Sequence, residues 1–105
     1  MMKRFILLLA FVLCGAVSYG QNAVVHINAE FNKSNNWYGL ESLDGVKVYN
    51  GYIETNPAMK QRYNITKVPT LILYIDGEEK KRWEASLDMK LHVTTSEVQS
   101  EINKH

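Results

Sequence analysis

The apolar positions of this chain fall into short blocks separated by polar turns, and their spacing changes along the chain from strand-like to helix-like and back. Ala23-Val24-Val25-His26-Ile27-Asn28-Ala29 is β-branched, mostly apolar and bounded by polar residues, which predicts a buried strand. Asn32 to Asn36 is a polar stretch of loop and helix-cap residues, with Ser34, Asn35 or Asn36 available as an N-cap. Trp37, Leu40 and Leu43 are then spaced for one face of a short helix ending near Asp44-Gly45. Val46 to Thr55 is strand-like again. Asn50-Gly51 inside it is a hairpin signal in its own right, but it would leave only two short strands, Val46–Tyr49 and Tyr52–Thr55. One strand with a bulge or twist near Gly51 is the expectation.

Asn56-Pro57 opens a second helix, with Asn56 as cap and Pro57 at the first helical position, and Met59, Tyr63 and Ile65 supply its apolar side. Pro69 interrupts and pushes Val68 to an extended conformation. Thr70 to Ile75 is the most strongly strand-forming run, Asp76-Gly77 is a turn dipeptide, and Glu78 to Trp83 fits the returning strand of a hairpin. Thr94 or Thr95, followed by Glu97 or Val98, signals a final helix carrying Val98, Glu101 and Ile102. There is no internal repeat and no low-complexity tract.

The N-terminus has a different character. Met1-Met2-Lys3-Arg4 is a short positive segment, and Phe5 to Val17 is an almost unbroken apolar run. That run fits the ~7–15 residues of a secretory leader and falls short of the ~20 that a membrane-spanning helix needs. Ser18-Tyr19-Gly20 supplies small residues before a cut between Gly20 and Gln21. The expectation is a signal peptide over residues 1–20, an exported chain that is periplasmic or extracellular, and no membrane span after cleavage. An uncleaved anchor is disfavoured by the length of the run, and lipid on Cys14 by the bulky Leu13 before it.

Residues 21–105 are then one small domain with one core. Without Lys3 and Arg4, the twelve Lys and Arg become ten against eleven Asp and Glu, a net charge of about −1. No basic stripe points to nucleic acid. Cys14 is the only cysteine, so the domain has no disulfide and its stability must come from packing. His26, His92 and His105 show no metal-ligand spacing, no cofactor is expected, and His26 in mid-strand reads as a hydrogen-bonded core residue. Ser34 with His26 lacks the acidic orienter and oxyanion motif of a nucleophile–base pair. Lys80-Lys81-Arg82 reads as the solvated face of an edge strand, and the Asn32-Lys33-Ser34 and Asn64-Ile65-Thr66 sequons as chance matches.

Three segments resemble the thioredoxin superfamily: Val25-His26-Ile27-Asn28-Ala29-Glu30-Phe31, the strand entering the active-site loop; Tyr52-Ile53-Glu54-Thr55-Asn56-Pro57 with Tyr63-Asn64-Ile65; and Val68-Pro69-Thr70-Leu71-Ile72-Leu73-Tyr74-Ile75-Asp76-Gly77-Glu78, the cis-proline segment and hairpin. The resemblance spans roughly Ala23 to Ala85, without the family's usual first strand and helix. It implies an α/β fold of minimal thioredoxin type: a four-stranded mixed sheet flanked by helices, with a cis Val68-Pro69 bond before the third strand. It also implies that the backbone of Val68 is open to an extended peptide.

The departures bear on function. Asn32 and Asn35 stand where the family has its two cysteines, His26 where many members keep a buried acid, and Asn50 roughly where a lysine partners that acid. Thiol–disulfide exchange needs a thiolate and a resolving thiol. The expectation is a redox-inactive domain of the cell envelope that binds protein or peptide through Phe31, Asn32, Lys33, Ser34, Asn35, Tyr38, Val68, Pro69 and Thr70, with no catalytic residue and no metal. A disulfide oxidoreductase would need a thiol from elsewhere, and a structural subunit of an envelope assembly is the other alternative. Nothing in the sequence sets the oligomeric state. Asn32 to Asn35 reads either as a recognition loop or as a helix cap.

Overall fold

The protein is described here by a computed structural model. It describes residues 21–105; the expected leader, its cleavage point and Cys14 lie outside the described residues. Four strands, β1 (Ala23–Asn28), β2 (Lys47–Tyr52), β3 (Thr70–Ile75) and β4 (Glu78–Glu84), form one mixed sheet in the order β2-β1-β3-β4. β1 runs parallel to β2 and antiparallel to β3, and β3 is antiparallel to β4. Two short helices flank the sheet, α1 (Ala58–Arg62) and α2 (Thr95–Asn103). This is the four-stranded mixed sheet that the resemblance implied, and the Val68-Pro69 bond is cis.

The two central strands explain why their sequences are apolar almost throughout: both faces of each are covered. On one face Val24, Leu71, Leu73 and Ile75 pack with Leu43 and with Val98 and Ile102 of α2. On the other, Val25, Ile27 and Ile72 pack with Tyr63 and Ile65 behind α1. α2 begins as its sequence suggests. Thr94 is the N-cap, its hydroxyl accepts from the Glu97 N–H at 3.1 Å, and the Glu97 carboxylate accepts from the Thr94 N–H at 2.9 Å.

Asn50-Gly51 lies within one strand. β2 keeps unbroken register with β1 from Ala23↔Lys47 to Asn28↔Tyr52, with no bulge, and ends at Tyr52 rather than Thr55. Gly51 serves close packing there: a Cβ would stand 2.6 Å from the Met59 methyl carbon, which α1 lays on the strand. The bulge lies instead in β4. Leu73 pairs with Lys81 but Tyr74 with Glu79, so Lys80 is the extra residue. This slip puts Glu79 and Arg82 on one face, where the guanidinium donates twice to the carboxylate, at 2.9 Å each. The Asp76-Gly77 turn has positive φ at both residues, 53° and 81°, as a tight hairpin of primed type requires.

Three helix expectations need correction. Trp37 to Leu43 does not form an α-helix; only Leu40–Ser42 makes a 3-10 turn, and the Trp37 backbone N–H is bonded to the His26 ring of β1. Asn32 to Asn36, expected as loop and helix cap, overlaps a 3-10 turn over Glu30–Asn35 with a break at Asn32; Ser34, Asn35 and Asn36 N-cap no helix, and Asn36 closes that turn at its C-terminal end. In α1, Pro57 rather than Asn56 occupies the N-cap, and no side chain caps it; Asn56 contributes its backbone carbonyl to the Met59 N–H at 3.0 Å.

Leu73 is fully buried in the α2-facing layer. Leu73→Ala is expected to lower stability by about 2–5 kcal/mol. The fully exposed Leu87 supplies the contrast, and Leu87→Ala should change stability by less than about 0.5 kcal/mol. Urea titration of both variants checks the pair.

Candidate functional site

β1 carries two polar side chains into the core, His26 and Asn28, and each draws the following loop back onto the strand. Asn28 and Asn32 form a reciprocal amide pair: the Asn32 amide donates to Asn28 Oδ1 at 3.1 Å, while the Asn28 amide donates to the Asn32 carbonyl at 3.0 Å. The Asn28 amide also donates to Asn36 Oδ1 at 2.7 Å, and the Asn36 amide to the Tyr52 hydroxyl at 2.7 Å. Asn32 donates further to the Met89 carbonyl at 3.0 Å and accepts from the Asn35 amide at 2.8 Å. Asn32 is 5% exposed, and both of its amide atoms are engaged internally. At this position the side chain organises the loop rather than facing outward.

His26, 1% exposed, shows the same logic. Its register partner on β2 is Asn50, whose Oδ1 lies 2.7 Å from Nδ1. The Trp37 backbone N–H donates to Nε2 at 3.2 Å. A backbone N–H can only donate, so Nε2 is bare, Nδ1 carries the hydrogen and the ring is neutral. Burial lowers its pKa below the ordinary 6.5, against the smaller upward pull of the Asn50 hydrogen bond. The two residues expected to replace a buried acid and its lysine therefore bond to each other.

The nine expected site residues share the end of the sheet where β1 finishes and β3 begins, since Ile27 is opposite Thr70. They divide by exposure. Phe31 and Tyr38 are 74% and 78% exposed, and Lys33 and Ser34 are also open to solvent. Asn35 is half-buried and Val68 partly buried against the α1-side core. Asn32, Pro69 and Thr70 are buried; the Thr70 hydroxyl donates to the Lys67 carbonyl at 2.6 Å. Among the described residues no hydrogen bond engages the backbone of Val68. Trp37 belongs to the α2-side core, its indole N–H donating to the Val93 carbonyl at 2.9 Å.

Sequence reasoning missed the contribution of Ser86 to Lys90. This turn follows β4, brings the Met89 carbonyl to Asn32 and displays Leu87 fully exposed. Its shape is held by Asp88, whose carboxylate accepts from the Ser86 hydroxyl at 2.7 Å and the Lys90 N–H at 3.1 Å and meets His92 Nε2 at 2.7 Å. The Ser86 hydroxyl first, then His92, hold the Asp88 carboxyl down at about 2. Asp88 two residues after Ser86 was the available signal, a short-range side-chain turn. Asn28, Asn36 and Tyr52 were likewise missed, because their partners lie across the fold. Among the described residues there is no group of His, Cys, Asp and Glu that could hold a metal, and no helix long and apolar enough to cross a membrane.

The fold is thioredoxin-like. Solved thioredoxins superpose on it: that of Schistosoma mansoni with a TM-score of 0.62 at 18% identity, covering 82% of this chain and 78% of that one. A mutant thioredoxin of Halobacterium salinarum gives 0.59 at 17% identity over 88% and 80%. Thioredoxin-2 of the malaria parasite gives 0.59 at 15% over 89% and 91%. No protein-family model matches the chain, and no curated protein matches it by sequence.

Two outcomes test this arrangement. Asn32→Ala strips partners from Asn28 Oδ1, the Met89 carbonyl and the Asn35 amide, and is expected to cost about 1–3 kcal/mol; chemical denaturation measures it. The sign of the His26 effect follows from linkage. The unfolded chain takes up the proton near 6.5 and the native state resists it to lower pH, so the unfolded state binds more protons in that window. The His26 contribution is thus fully present above about pH 6.5 and lost as pH falls below it. The urea midpoint should drop from pH 7.5 to pH 5.5, and His26→Gln should flatten that drop.

Proposed function

We propose that residues 21–105 form a redox-inactive thioredoxin-like module that binds an extended protein or peptide segment at the loop end of the sheet. The observation that carries this reading is the division of the loops. Their polar amides are bonded inward, while Phe31, Tyr38 and Leu87 are left exposed on the loops that follow β1 and β4, and no hydrogen bond among the described residues engages the Val68 backbone. Those three are the exposed large apolar side chains of this end of the fold; the fourth among the described residues, Val48, lies on β2. Apolar and aromatic side chains beside a free backbone edge suit capture of an extended segment, the side chains giving affinity and the backbone register. Lys33, Ser34 and Asn35 border the surface, and Asn32, Pro69 and Thr70 shape it from beneath.

Redox inactivity rests on chemistry. Residues 21–105 contain no cysteine thiol, and an asparagine side chain has no ionisable form that attacks a disulfide. Export to the periplasm or beyond rests on the leader-like pattern of residues 1–20.

The test has two arms. In a turbidimetric insulin assay with dithiothreitol, the protein should match the protein-free blank; catalysed reduction would refute redox inactivity. A photo-crosslinker at Tyr38, with Lys81 on β4 as control, should capture a discrete partner from envelope extract at Tyr38 alone, and Phe31→Ser or Leu87→Ser should abolish capture. Equal capture at both positions, or capture unaffected by those substitutions, would remove this surface as the binding site.

A further inference from the structure

We infer that His26 is a proton-operated latch on the loop that carries Tyr38: the neutral ring holds the Trp37 backbone against the sheet, and protonation lets that segment go. The consequence for binding rests on the function proposed above; the latch itself does not.

Both ring nitrogens have fixed roles. Nδ1 is 2.7 Å from Asn50 Oδ1 on β2, and Nε2 accepts the Trp37 N–H at 3.2 Å. A proton added to Nε2 sets one N–H against another and places a charge inside an apolar layer, and both effects push Trp37 away. The surroundings offer that charge nothing. Along β1 its same-face neighbours are Val24 and Asn28, and its register partner on β3 is Leu71. The carboxylates of α2, the helix packed on this layer, are bonded elsewhere: Glu97 to the Thr94 N–H, and Glu101 to Lys104 with His105 nearby. No ionised side chain contributes to the lowered affinity of His26 for a proton.

The latch also sits at a junction. Before Trp37, Asn36 is tied to Asn28 and Tyr52; after it, Tyr38 is 78% exposed, with its hydroxyl 3.5 Å from the Lys33 carbonyl. The Trp37 indole has a separate hold on the Val93 carbonyl. Loss of the ring's hydrogen bond therefore loosens the Trp37–Tyr38 backbone, between the asparagine network and the Ser42 N–H bond to the Gly39 carbonyl, without unmaking either. The surface that displays Tyr38 would then be ordered at neutral pH and loosened in acid.

Amide hydrogen exchange by NMR on the intact chain reads this directly, as protection factors corrected for the intrinsic pH dependence of exchange. From pH 7.5 to pH 5 the protection of the Trp37 N–H should fall about tenfold, the equivalent of one hydrogen bond, while that of Ile72 in β3 changes little. In His26→Gln the Trp37 protection should not follow pH. Equal losses at Trp37 and Ile72, no loss at Trp37, or an unchanged pH response in the variant would each overturn the latch. Should the variant fail to fold, the wild-type chain still decides: the His26 ring-nitrogen shifts and the Trp37 protection must titrate with one midpoint, and two separate midpoints refute the coupling. No ligand enters this measurement, so failure to capture a partner at Tyr38 bears on the binding function alone.

Discussion

The structure turns on a demand made by two polar side chains that β1 buries. A buried imidazole and a buried amide must find hydrogen-bond partners or cost the fold their lost hydration. β1 cannot supply them, since its backbone is already paired on both sides. The partners come from the chain that follows: Asn32 and Asn36 for Asn28, the Trp37 backbone and Asn50 for His26. The loop is thereby folded back on the strand.

From that demand follows the character of the candidate site. Asn32 and Asn35 carry amides that bond to each other, to Asn28 and to the turn after β4. A thiol attacks as its thiolate, and an amide side chain has no such form. What faces outward includes the large apolar side chains of Phe31, Tyr38 and Leu87, beside the polar Glu30, Lys33 and Ser34.

The two outer strands meet solvent by different means. β4 is dense in charge, with Glu79 and Arg82 paired across the Lys80 bulge, and that charge keeps its edge from pairing with other strands. β2 has little charge and is pinned by packing, its Gly51 under Met59 and its Asn50 on His26. The Asn50-Gly51 pair thus has one residue for hydrogen bonding and one for contact. In an isolated peptide the same dipeptide would favour a turn.

The sequence by itself determined the strands and the hairpin, because β-branched runs, Asp76-Gly77 and the Thr94–Glu97 box act within a few residues and need no distant partner. It also determined that thiol chemistry is absent from residues 21–105, and that His26 would sit hydrogen-bonded in the core. Tertiary structure alone decided the rest. Asn50-Gly51 stayed a strand because β1 offered six residues of parallel register; the Trp37 backbone was drawn onto a histidine eleven residues earlier; and Asn32 turned inward because Asn28 and the Met89 carbonyl were waiting there. In each case the deciding partner lies beyond the reach of helical or strand periodicity. An amide or a glycine reads the same in a sequence whether it faces solvent, caps a turn or fills a gap, and only the neighbours brought up by folding distinguish those states.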